Sequence, residues 1–545
     1  MIYSKKEIRK LEIRNHFQYP NFRCLIISIM NKPTNILIIL DGWGVAPKSK
    51  GNAIELARKP FFDSLKEKYP YTTLNATGLA AGLSENERSG SEAGHLNIGA
   101  GRIIKQDSQI INESIESGDF FKNPRLRRTI NYAKIHHSSL HLMGLLSNSD
   151  SPHSDPKHLS ALLKMAKNNK VKNVFLHLFT DGRDAFPHQS LEFLEKLNKE
   201  IEKVGLGKIA SITGRYYAMD RVKHWKRLEK AYEAIVLGKG EKARSAREAI
   251  QKSHRKKISD EFILPTVIVD KNNQPIGQVK DHDALIFFNL RGDRGRQLTK
   301  LFTLDNIIGY EDRERELKKI FMATLTDFGP DLPVQVAYPS REIENTLPYV
   351  MRDFKQLYIS EAEKYPHITY FFNGGYKDPI GGEDRIRISS PEVSSYDQKP
   401  EMSASEVTKV ITDNIEHQIY DFIAVNYANT DMVGHTGNLK AAISAVETID
   451  KCLKQVVTKI LNNNGLAIIT ADHGNADEMI DPKTGQVSTM HSKNPVPFMI
   501  IKNGLNKINC PLRDGGILGD VAPTLLDLIG VSKPKEMTER SLIEK

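Results

Sequence analysis

Three apolar runs of strand length, each ending shortly before an acidic residue and a glycine, limit the folds open to this chain. They are rich in aliphatic residues and recur at both ends of the sequence. In an open α/β sheet, ligands bind beyond the carboxyl ends of the strands, so the polar residues after these runs are expected to converge on one edge. The runs are Asn35–Leu40, Phe422–Tyr427 and Leu466–Thr470.

The residues after these runs carry side chains that bind divalent metal ions. Asp41 follows the first run, Asp431 and His435 follow the second, and Asp472 and His473 follow the third. Oxygen and nitrogen donors without thiolates suit manganese, zinc or magnesium. Each motif alone has a plainer interpretation as a turn, a helix cap or a surface pair, but their coincidence beside glycines favours a metal centre. Two ions about 4 Å apart would clamp a phosphoryl group.

A serine in a glycine-rich segment is the candidate nucleophile. Ser91 lies in the sequence Ser-Gly-Ser-Glu-Ala-Gly-His, whose glycines would let the backbone approach a phosphate. A serine hydroxyl attacks poorly unless a base or a metal holds its alkoxide, so the assignment of Ser91 as nucleophile depends on the metal residues. His491, at the end of a polar loop, is a further candidate metal ligand. Without the metal residues, a turn serine would be the simpler interpretation. The predicted site is a two-metal centre that activates Ser91.

The middle of the chain repeats the pattern of a strand followed by a polar loop, but places arginines in the loops. Guanidinium groups bind phosphate and carboxylate through paired hydrogen bonds, which suits a small, doubly charged acid. Beside them, Asp184 could act as a general acid or base, and His153 could transfer a proton or bind phosphate. Solvated arginines and a surface ion pair of Arg183 with Asp184 are the alternatives. The arginines are Arg183, Arg215, Arg221, Arg291 and Arg294.

The alternation of strand-like and helical runs after Met30 predicts α/β architecture with mostly parallel sheets. A metal domain, split into residues 30–105 and 340–545, would flank an inserted substrate-binding domain at 106–339. A chain of 545 residues is long enough for two such domains. Residues 1–29 are basic and end in a short apolar patch. They are interpreted as an N-terminal extension without function, with Met30 as the working initiator.

The amino-acid composition favours a soluble globular protein over a membrane-spanning or disulfide-rich one. A hydrophobic fraction of 39% and a charged fraction of 26% are typical of soluble globular proteins, and no apolar stretch approaches the roughly 20 residues that span a bilayer. Three scattered cysteines favour a reducing cytosol over a disulfide framework. The net charge of +10 is modest and could steer anionic substrates. We therefore expect a cytoplasmic monomer with no nucleic-acid or membrane partner.

Longer strings spread along the chain are more specific than any single motif. They include LDGWG (40–44), SEAGHLNIGAGR (91–102), TDGRD (180–184), GRYYAMDR (214–221), FFNLRGDRGRQ (287–297), SEAEKYPHITYFFNGG (360–375), NYANTDMVGHTG (426–437), TADHGNADEM (470–479) and HSKNPVPF (491–498). In this order they resemble the cofactor-independent phosphoglycerate mutases of the alkaline phosphatase superfamily. The resemblance extends from about residue 33 to the C-terminus and matches the family's plan of a domain inserted into a phosphatase-like dimetal domain.

The resemblance implies interconversion of 3-phosphoglycerate and 2-phosphoglycerate in glycolysis and gluconeogenesis, without 2,3-bisphosphoglycerate. It implies two divalent ions, usually manganese, a phosphoserine intermediate on Ser91, and proton transfer to the glycerate hydroxyls by Asp184. One ion would be held by Asp41, Ser91, Asp472 and His473, and the other by Asp431, His435 and His491. The phosphoglycerate would be bound by His153, Arg183, Asp184, Arg215, Arg221, Arg291, Arg294 and Lys364, the last of which precedes a strand-like run.

Two positions depart from the family's pattern. Gly90 stands where the family commonly has Asn directly before the nucleophilic serine. The sequence Asp150-Ser151-Pro152-His153-Ser154-Asp155 replaces a common Gly-Gly-Val-His-Ser-His. The added carboxylates could alter local pKa values and the approach of substrate.

Two other classes of function compete with the mutase. One is a phosphatase or phosphopentomutase of the same superfamily, which the metal residues alone would not separate from it. The other is a non-catalytic, anion-binding or structural metalloprotein. The arginine-bearing insert discriminates against a hydrolase, which needs a path for water and no retained product.

Overall fold

The computed structural model describes residues 33–85, 87–149, 151–310 and 317–544. The predicted N-terminal extension (1–29) and Asp150 lie outside these ranges. By their internal contacts, the described residues form two compact units. The first comprises the described parts of Met1–Ala76, Gly90–Arg102 and Ile343–Lys545, and the second comprises Thr77–Ser89 and Ile103–Glu342.

Strands and helices alternate along the chain, which confirms the predicted α/β class. The strands are β1 (Asn35–Leu40), β2 (Tyr71–Asn75), β3 (Leu140–Leu146), β4 (Val174–Thr180), β5 (Lys208–Gly214), β6 (Glu241–Ala243), β7 (Thr266–Ile268), β8 (Ala284–Phe287), β9 (Phe321–Thr326), β10 (Gln335–Tyr338), β11 (Gln356–Glu361), β12 (Glu383–Ile388), β13 (Phe422–Tyr427), β14 (Leu466–Thr470), β15 (Val496–Ile501) and β16 (Gly516–Ile517).

The α-helices are α1 (Ala53–Leu56), α2 (Pro60–Lys68), α3 (Ser91–Ala100), α4 (Asp107–Ser117), α5 (Pro124–Ile135), α6 (Pro156–Asn168), α7 (Ser190–Val204), α8 (Arg215–Ala218), α9 (Trp225–Val236), α10 (Ala246–Arg255), α11 (Gly292–Thr303), α12 (Leu347–Val350), α13 (Ala404–Glu416), α14 (Asn429–Gly434), α15 (Leu439–Asn462) and α16 (Val521–Ile529). Short 3-10 turns lie at Gly78–Ala81, Asp119–Lys122, Asp260–Phe262, Tyr396–Gln398 and Leu518–Asp520, and a π-helical turn lies at His367–Phe371. No helix in the described ranges has the length and apolar character to cross a bilayer.

The first unit is built on a sheet in the order β12-β11-β13-β1-β14-β15-β2-β16. From β12 to β14 the strands run parallel, so their carboxyl ends share one edge. β1 lies between β13 and β14, and its residues are buried after the first, as the continuous apolar run requires of a strand covered on both faces. The three runs that opened the sequence argument are therefore β13, β1 and β14, side by side.

Helix α15 shows why the covering helices form. Asn438 caps its first turn by accepting a hydrogen bond from the amide of Ala441. Ala442, Ala445 and Ile449 recur at spacings of three and four residues and are all buried, which places them on the face that packs on the sheet.

The second unit is built on a sheet in the order β10-β9-β8-β3-β4-β5-β7-β6. It is parallel from β10 to β5. The sequence predicts strands in the middle of the chain at 140–146, 174–179, 209–213 and 284–289, and these runs correspond to β3, β4, β5 and β8. The segments that carry the arginines therefore leave this sheet at the carboxyl ends of its strands. Loops were predicted for all five arginines, but only Arg183 and Arg221 lie in loops. Arg215 and Arg294 lie in helices α8 and α11, and Arg291 is the N-cap residue of α11.

The segment Thr77–Ser89 differs from the predicted domain limits, which placed it with the metal residues. Within the second unit, Glu87 accepts hydrogen bonds from Ser108 Oγ at 3.1 and 3.3 Å. The amide of Gln106 donates to the carbonyl of Gly82 at 2.7 Å. These bonds attach the segment to the second unit, while the division of the chain at 105 and 340 stays a prediction.

The sequence predicts a strand after Lys364, and this prediction is wrong. His367–Phe371 forms a π-helical turn that begins after Pro366. The turn packs against α3, where a Cβ on Gly99 would come within 2.9 Å of the carbonyl carbon of Phe372. The β-branched and aromatic residues of this run favour a strand, but its packing on a neighbouring helix overrides that preference.

Candidate metal centre and arginine cluster

The predicted metal residues of the first unit lie at the carboxyl ends of its central strands. Asp41 directly follows β1, Asp472 follows β14, and Asp431 lies in helix α14 just after β13. Gly42 lets the chain leave β1 close to this helix, because its φ is +74° and a Cβ there would lie 2.7 Å from the Cα of Asp431. A side chain at position 42 would push the carboxylates of Asp41 and Asp431 apart.

Asp41, Asp472 and His473 form a buried cluster in which one ligand atom from each lies within 4.8 Å of the others. Ser91, the first residue of α3, places its Oγ 3.2 Å from Asp41 Oδ1 and 3.0 Å from His473 Nε2. Burial acts to lower the pKa of His473, but Asp472 and the hydrogen bond with Asp41 outweigh it and raise that pKa to about 9. Burial acts to raise the pKa of Asp41, but the Lys364 ammonium and His473 hold it well below its usual range. The cluster thus surrounds the serine with charged groups.

Asp431, His435 and His491 form a second cluster beside the first. His435 Nε2 and His491 Nε2 lie 3.3 and 3.2 Å from Asp431 Oδ1, and 3.1 Å from each other. His435 Nδ1 donates to the carbonyl of Thr489 at 2.7 Å, which directs Nε2 into the cluster. Burial, reinforced by His473, lowers the pKa of His491 to about 4, so this ring is neutral at pH 7, the form that binds metal.

The donors of both clusters fit divalent metal ions. Asp472 Oδ2 is buried and receives no hydrogen bond from any residue that the structure describes. His95 Nδ1 and His473 Nε2 lie 3.2 and 3.5 Å from it, but the first nitrogen is hydrogen-bonded to the carbonyl of Ser91 and the second to Ser91 Oγ. A buried carboxylate oxygen without a donor costs free energy, which a cation at this place would offset. Carboxylate and imidazole donors without sulfur suit first-row divalent ions such as manganese and zinc.

Lys364, assigned to the substrate by resemblance, contacts the metal residues. Its Nζ donates to Asp41 Oδ1 and Asp431 Oδ2, both at 2.6 Å, and to Ser91 Oγ at 2.7 Å. The side chain is 4% exposed. The ammonium therefore joins the two clusters and touches the predicted nucleophile, where it would meet a phosphoryl group carried by Ser91.

In the second unit, Arg215 is the centre of the predicted substrate residues. It is buried, and its Nη1 lies 2.7 Å from Asp181 Oδ1 and 2.5 Å from Asp184 Oδ2. His153 Nε2 lies 3.7 Å from the same oxygen of Asp184. Burial, together with the positive charge of Arg215 and the neighbouring arginines, holds the pKa of His153 well below its ordinary value. The unit thus offers a neutral imidazole, a carboxylate and a guanidinium in one group.

The other predicted arginines surround this group. Arg221 Nη1 and Arg291 Nε approach the two carboxylate oxygens of Asp293, at 3.3 and 3.7 Å. Burial and repulsion from neighbouring arginines lower the pKa of Arg294 to about 10. Arg183 is more than half exposed and adds its charge to the same field around His153. Like charges this close repel one another, and an anionic ligand would relieve the repulsion.

The two departures from the family's pattern have plain structural roles. Gly90 is the N-cap residue of α3, and a Cβ on it would lie 3.2 Å from His491 Cε1. Asp155 caps α6 by accepting from the amide of Lys157 at 2.8 Å, and its other oxygen accepts from Asn112 Nδ2 at 2.9 Å. The charges that shift the pKa of His153 are arginines. Asp155 acts on two other neighbours: burial lowers the pKa of His158 and raises that of Glu87, and the Asp155 carboxylate opposes the first shift and adds to the second.

Several residues around these sites carried no prediction of their own. Asp181 pairs with Arg215, Asn475 Nδ2 donates to Asp431 Oδ1 at 2.9 Å, and Asn426 and His95 contact the first metal cluster. All four lie inside or beside the strings that carry the family resemblance. Their spacing offered one signal, since His95 follows Ser91 by one helical turn and must share its face.

A third group of possible ligands, His188, His254 and Asp260, lies in the second unit. Asp260 Oδ1 is paired with His254 Nε2 at 2.7 Å, and Oδ2 accepts from the amide of Ser190 at 2.8 Å. Both oxygens of the carboxylate therefore already have partners. These bonds attach the start of α7 to the 3-10 turn at Asp260–Phe262, which explains the group without a metal.

Several known proteins are similar to this chain in sequence or in architecture. Residues 34–533 match the Metalloenzyme superfamily. The chain is 47% identical over 518 residues to a 2,3-bisphosphoglycerate-independent phosphoglycerate mutase of Clostridium botulinum strain Langeland, covering 94% of this chain and 100% of that one. It is 48% identical over 530 residues to the enzyme of the same name from Chloroflexus aggregans, covering 93% and 98%. A crystal structure of Leishmania mexicana phosphoglycerate mutase at low cobalt concentration is similar with a TM-score of 0.81 and 30% identity, covering 94% and 98%. The chain therefore belongs to the metalloenzyme superfamily and, within it, to the 2,3-bisphosphoglycerate-independent phosphoglycerate mutases.

Proposed function

We propose that this protein interconverts 3-phosphoglycerate and 2-phosphoglycerate, a step of glycolysis and gluconeogenesis, by passing the phosphoryl group through Ser91. The observation that carries the proposal is the position of Ser91 Oγ, 3.2 Å from Asp41 Oδ1, 3.0 Å from His473 Nε2 and 2.7 Å from Lys364 Nζ. A hydroxyl in such surroundings lies beside a cation that can stabilise phosphoryl oxygens, and a divalent ion held by the same carboxylate would lower the pKa of the hydroxyl. The names of its relatives support the same reaction.

The reaction would proceed in two balanced halves. In the first, Ser91 Oγ bonds to the phosphorus of 3-phosphoglycerate while the bond from phosphorus to the 3-oxygen breaks; the serine loses its proton and the 3-oxygen gains one. In the second, the 2-oxygen of the same glycerate bonds to that phosphorus while the bond from phosphorus to Ser91 Oγ breaks; the 2-hydroxyl loses its proton and Ser91 Oγ gains one. Nothing is gained or lost overall, so no bisphosphoglycerate is required.

We further propose that two divalent ions, with manganese as the expected metal, bind the two clusters of the first unit. When bound, such ions neutralise charge on phosphoryl oxygens and lower the pKa of a coordinated hydroxyl. Asp472 Oδ2, which is buried and receives no hydrogen bond from the described residues, supports a cation in the first cluster. The first ion would be held by Asp41, Ser91, Asp472 and His473, and the second by Asp431, His435 and His491.

The arginine cluster of the second unit is proposed to bind the glycerate. Guanidinium pairs hold a carboxylate at two points, and this would retain the glycerate between the two halves of the reaction. Asp184 would carry protons to and from the glycerate hydroxyls, while Arg215 and the neutral His153 orient it. The proposed substrate residues of the second unit are His153, Arg183, Asp184, Arg215, Arg221, Arg291 and Arg294, and Lys364 is the proposed substrate residue of the first unit.

The test supplies 3-phosphoglycerate to the full-length protein with Mn²⁺ and without 2,3-bisphosphoglycerate, and follows 2-phosphoglycerate and free phosphate separately. We expect 2-phosphoglycerate to form and a phosphoryl label to be trapped on Ser91 by rapid acid quenching. Ser91→Ala should abolish both. Ser108→Ala is the matched control, because Ser108 is equally buried, at 7% exposure, and lies outside both sites.

The competing functions give different results in the same assay. Dominant release of free phosphate would indicate a phosphatase, and turnover of a pentose phosphate in place of phosphoglycerate would indicate a phosphopentomutase. Unchanged behaviour of Ser91→Ala would indicate a non-catalytic metalloprotein. Any of these three results would overturn the proposal.

We also propose that the protein acts as a cytoplasmic monomer whose partner is its small substrate. Light scattering of the purified chain would check the monomer, since a dimer would double the measured mass. Fractionation of cells would check the location.

A further inference from the structure

Asn426 and His95 connect the predicted nucleophile to one carboxylate of the first metal cluster. Both side chains are fully buried. Asn426 lies in β13, where it pairs with Ile39 of β1, two residues before Asp41. His95 lies in α3, one turn after Ser91. The two residues therefore reach the cluster from different elements of the first unit.

The direction of each hydrogen bond follows from the partners. Asn426 Nδ2 lies 2.6 Å from Asp41 Oδ2, and because a carboxylate only accepts, the atom facing it is the amide nitrogen. The same nitrogen lies 3.0 Å from His95 Nε2, which must then accept the second amide hydrogen. His95 Nδ1 consequently carries the ring proton and donates it to the carbonyl of Ser91 at 2.9 Å. The chain of bonds has a single consistent direction.

This arrangement selects which atoms of the cluster remain available. Asn426 occupies Asp41 Oδ2, so Asp41 Oδ1 is the oxygen directed at Ser91 Oγ and His473. The side-chain oxygen Oδ1 of Asn426 is buried and has no hydrogen-bond partner among the described residues. The Asn426 side chain thus leaves its oxygen without a hydrogen bond while its nitrogen donates two, to Asp41 and to His95. A side chain that served only to fill space would not require this arrangement.

We propose that Asn426 and His95 are positioning residues for phosphoryl transfer: together they hold the Asp41 carboxylate and the first turn of α3 so that Asp41 Oδ1 and Ser91 Oγ face the same metal ion. The inference rests on the proposed function of Ser91. Groups that orient a metal ligand through hydrogen bonds commonly change metal affinity or activity by about 10- to 100-fold when removed. Neither residue touches the substrate in this scheme, so substrate affinity should change little.

The test measures Mn²⁺ affinity by calorimetry, and kcat and KM for 3-phosphoglycerate, on full-length variants. Asn426→Leu keeps the volume and removes both donors. We expect its Mn²⁺ affinity at one of two sites to fall about 10- to 100-fold and kcat to fall with it, while KM stays within about twofold. Asn373→Leu is the matched control, because Asn373 is a fully buried asparagine of the same unit whose amide donates to Glu383 instead.

His95 offers a graded series that separates positioning from packing. His95→Asn keeps a donor near the Nδ1 position, His95→Gln keeps an acceptor near the Nε2 position, and His95→Leu keeps neither. We expect Mn²⁺ affinity to fall in the order wild type, Asn or Gln, then Leu. The series also stands in for Asn426→Leu if that variant does not fold.

Two outcomes would overturn the inference. One is wild-type Mn²⁺ affinity and kcat in Asn426→Leu and His95→Leu, and the other is an equal loss in the Asn373→Leu control. Failure of the proposed function is distinguishable, because it would appear in the wild-type protein as absence of 2-phosphoglycerate, whereas failure of this inference appears only in the variants.

Discussion

Lys364 offers the sharpest test of the electrostatics of the metal centre. Its ammonium lies 2.6 Å from a carboxylate oxygen of Asp41 and 2.6 Å from one of Asp431, and all three side chains are buried. Lys364→Met removes the charge and nearly preserves the volume, so little packing is lost. Removing one partner of a buried ion pair costs about 3–5 kcal/mol, because the remaining charge has neither its partner nor water. We expect the first unit to lose about that much unfolding free energy in the presence of EDTA.

The loss should depend on divalent metal. In the wild type, the ammonium and a metal ion would share the same carboxylates, so removing the ammonium would leave more negative charge to attract the metal. A ligand at about 1,000 times its Kd stabilises the state that binds it by about 4 kcal/mol. We therefore expect Mn²⁺ to stabilise Lys364→Met more than the wild type, and to offset most of the loss seen in EDTA.

The assay needs a signal from the first unit alone. The chain has two tryptophans. Trp43 is buried at the end of β1, and Trp225 lies in the second unit, so Trp225→Phe leaves Trp43 as the reporter. Urea unfolding at pH 7, followed by Trp43 fluorescence with EDTA or Mn²⁺, gives the free energies. Urea is preferred because guanidinium chloride would screen the charges.

Lys59→Met is the control for loss of a lysine. Lys59 pairs with Glu55 and Asp63 at 3.4 and 3.3 Å, and both of these partners are exposed. Lys59 is itself buried, at 7% exposure, but water reaches both partners, so removing the ammonium leaves neither carboxylate without solvent and should cost about 1 kcal/mol or less. If Lys364→Met in EDTA unfolds within about 1 kcal/mol of the Lys59→Met control, the reasoning that Lys364 balances the carboxylates is refuted.

Three further predictions concern packing, pH and helix capping. Gly94→Ala would place a Cβ 2.6 Å from the carbonyl oxygen of Asp472, so α3 must shift away from the cluster; calorimetry should show weaker Mn²⁺ binding, and unchanged affinity would contradict this. Burial holds the pKa of His177 well below its ordinary value of 6.5, so the unfolded chain protonates first and the stability that the neutral ring contributes above about pH 6.5 is lost as the pH falls. His177→Gln should therefore lose less stability than the wild type between pH 7 and pH 5, as measured by urea unfolding, and parallel losses would count against it. Asp260→Ala removes the acceptor for the first amide of α7, and we expect a loss of about 1 kcal/mol in the second unit, reported by Trp225; a loss below about 0.3 kcal/mol would mean that the cap is dispensable.

The strands of both sheets could be predicted from the sequence because parallel strands buried on both faces leave a plain signal. β1, β13 and β14 match the three apolar runs residue for residue. The run after Lys364 shows the limit of that signal, because its residues favour a strand and the structure forms a π-helical turn. A short run of β-branched and aromatic residues does not specify its partner, and packing against α3 decided its conformation.

Some residues of the candidate site could be predicted from the sequence and others could not, because only some of their positions follow from the strand order. Asp41, Asp431 and Asp472 follow strands whose carboxyl ends must share an edge, so their proximity could be reasoned from topology alone. Lys364 could not be assigned in this way, since its spacing is ordinary and only the fold brings its ammonium between two carboxylates. Asn426 and His95 escaped notice because amide and imidazole side chains acquire a role only through the atoms they face.

The sequence by itself determined the α/β class, the strands that carry polar residues at their ends, and the kinds of side chain available to bind metal and anion. These follow from periodicity, from burial and from donor chemistry, which are local properties of the chain. Only the tertiary structure decided which oxygen of Asp41 faces Ser91, that Lys364 contacts both clusters, and that Thr77–Ser89 belongs with the second unit. The physical reason is that a hydrogen bond or a buried ion pair depends on distances of a few tenths of an ångström between residues far apart in the chain, and no local pattern records those distances.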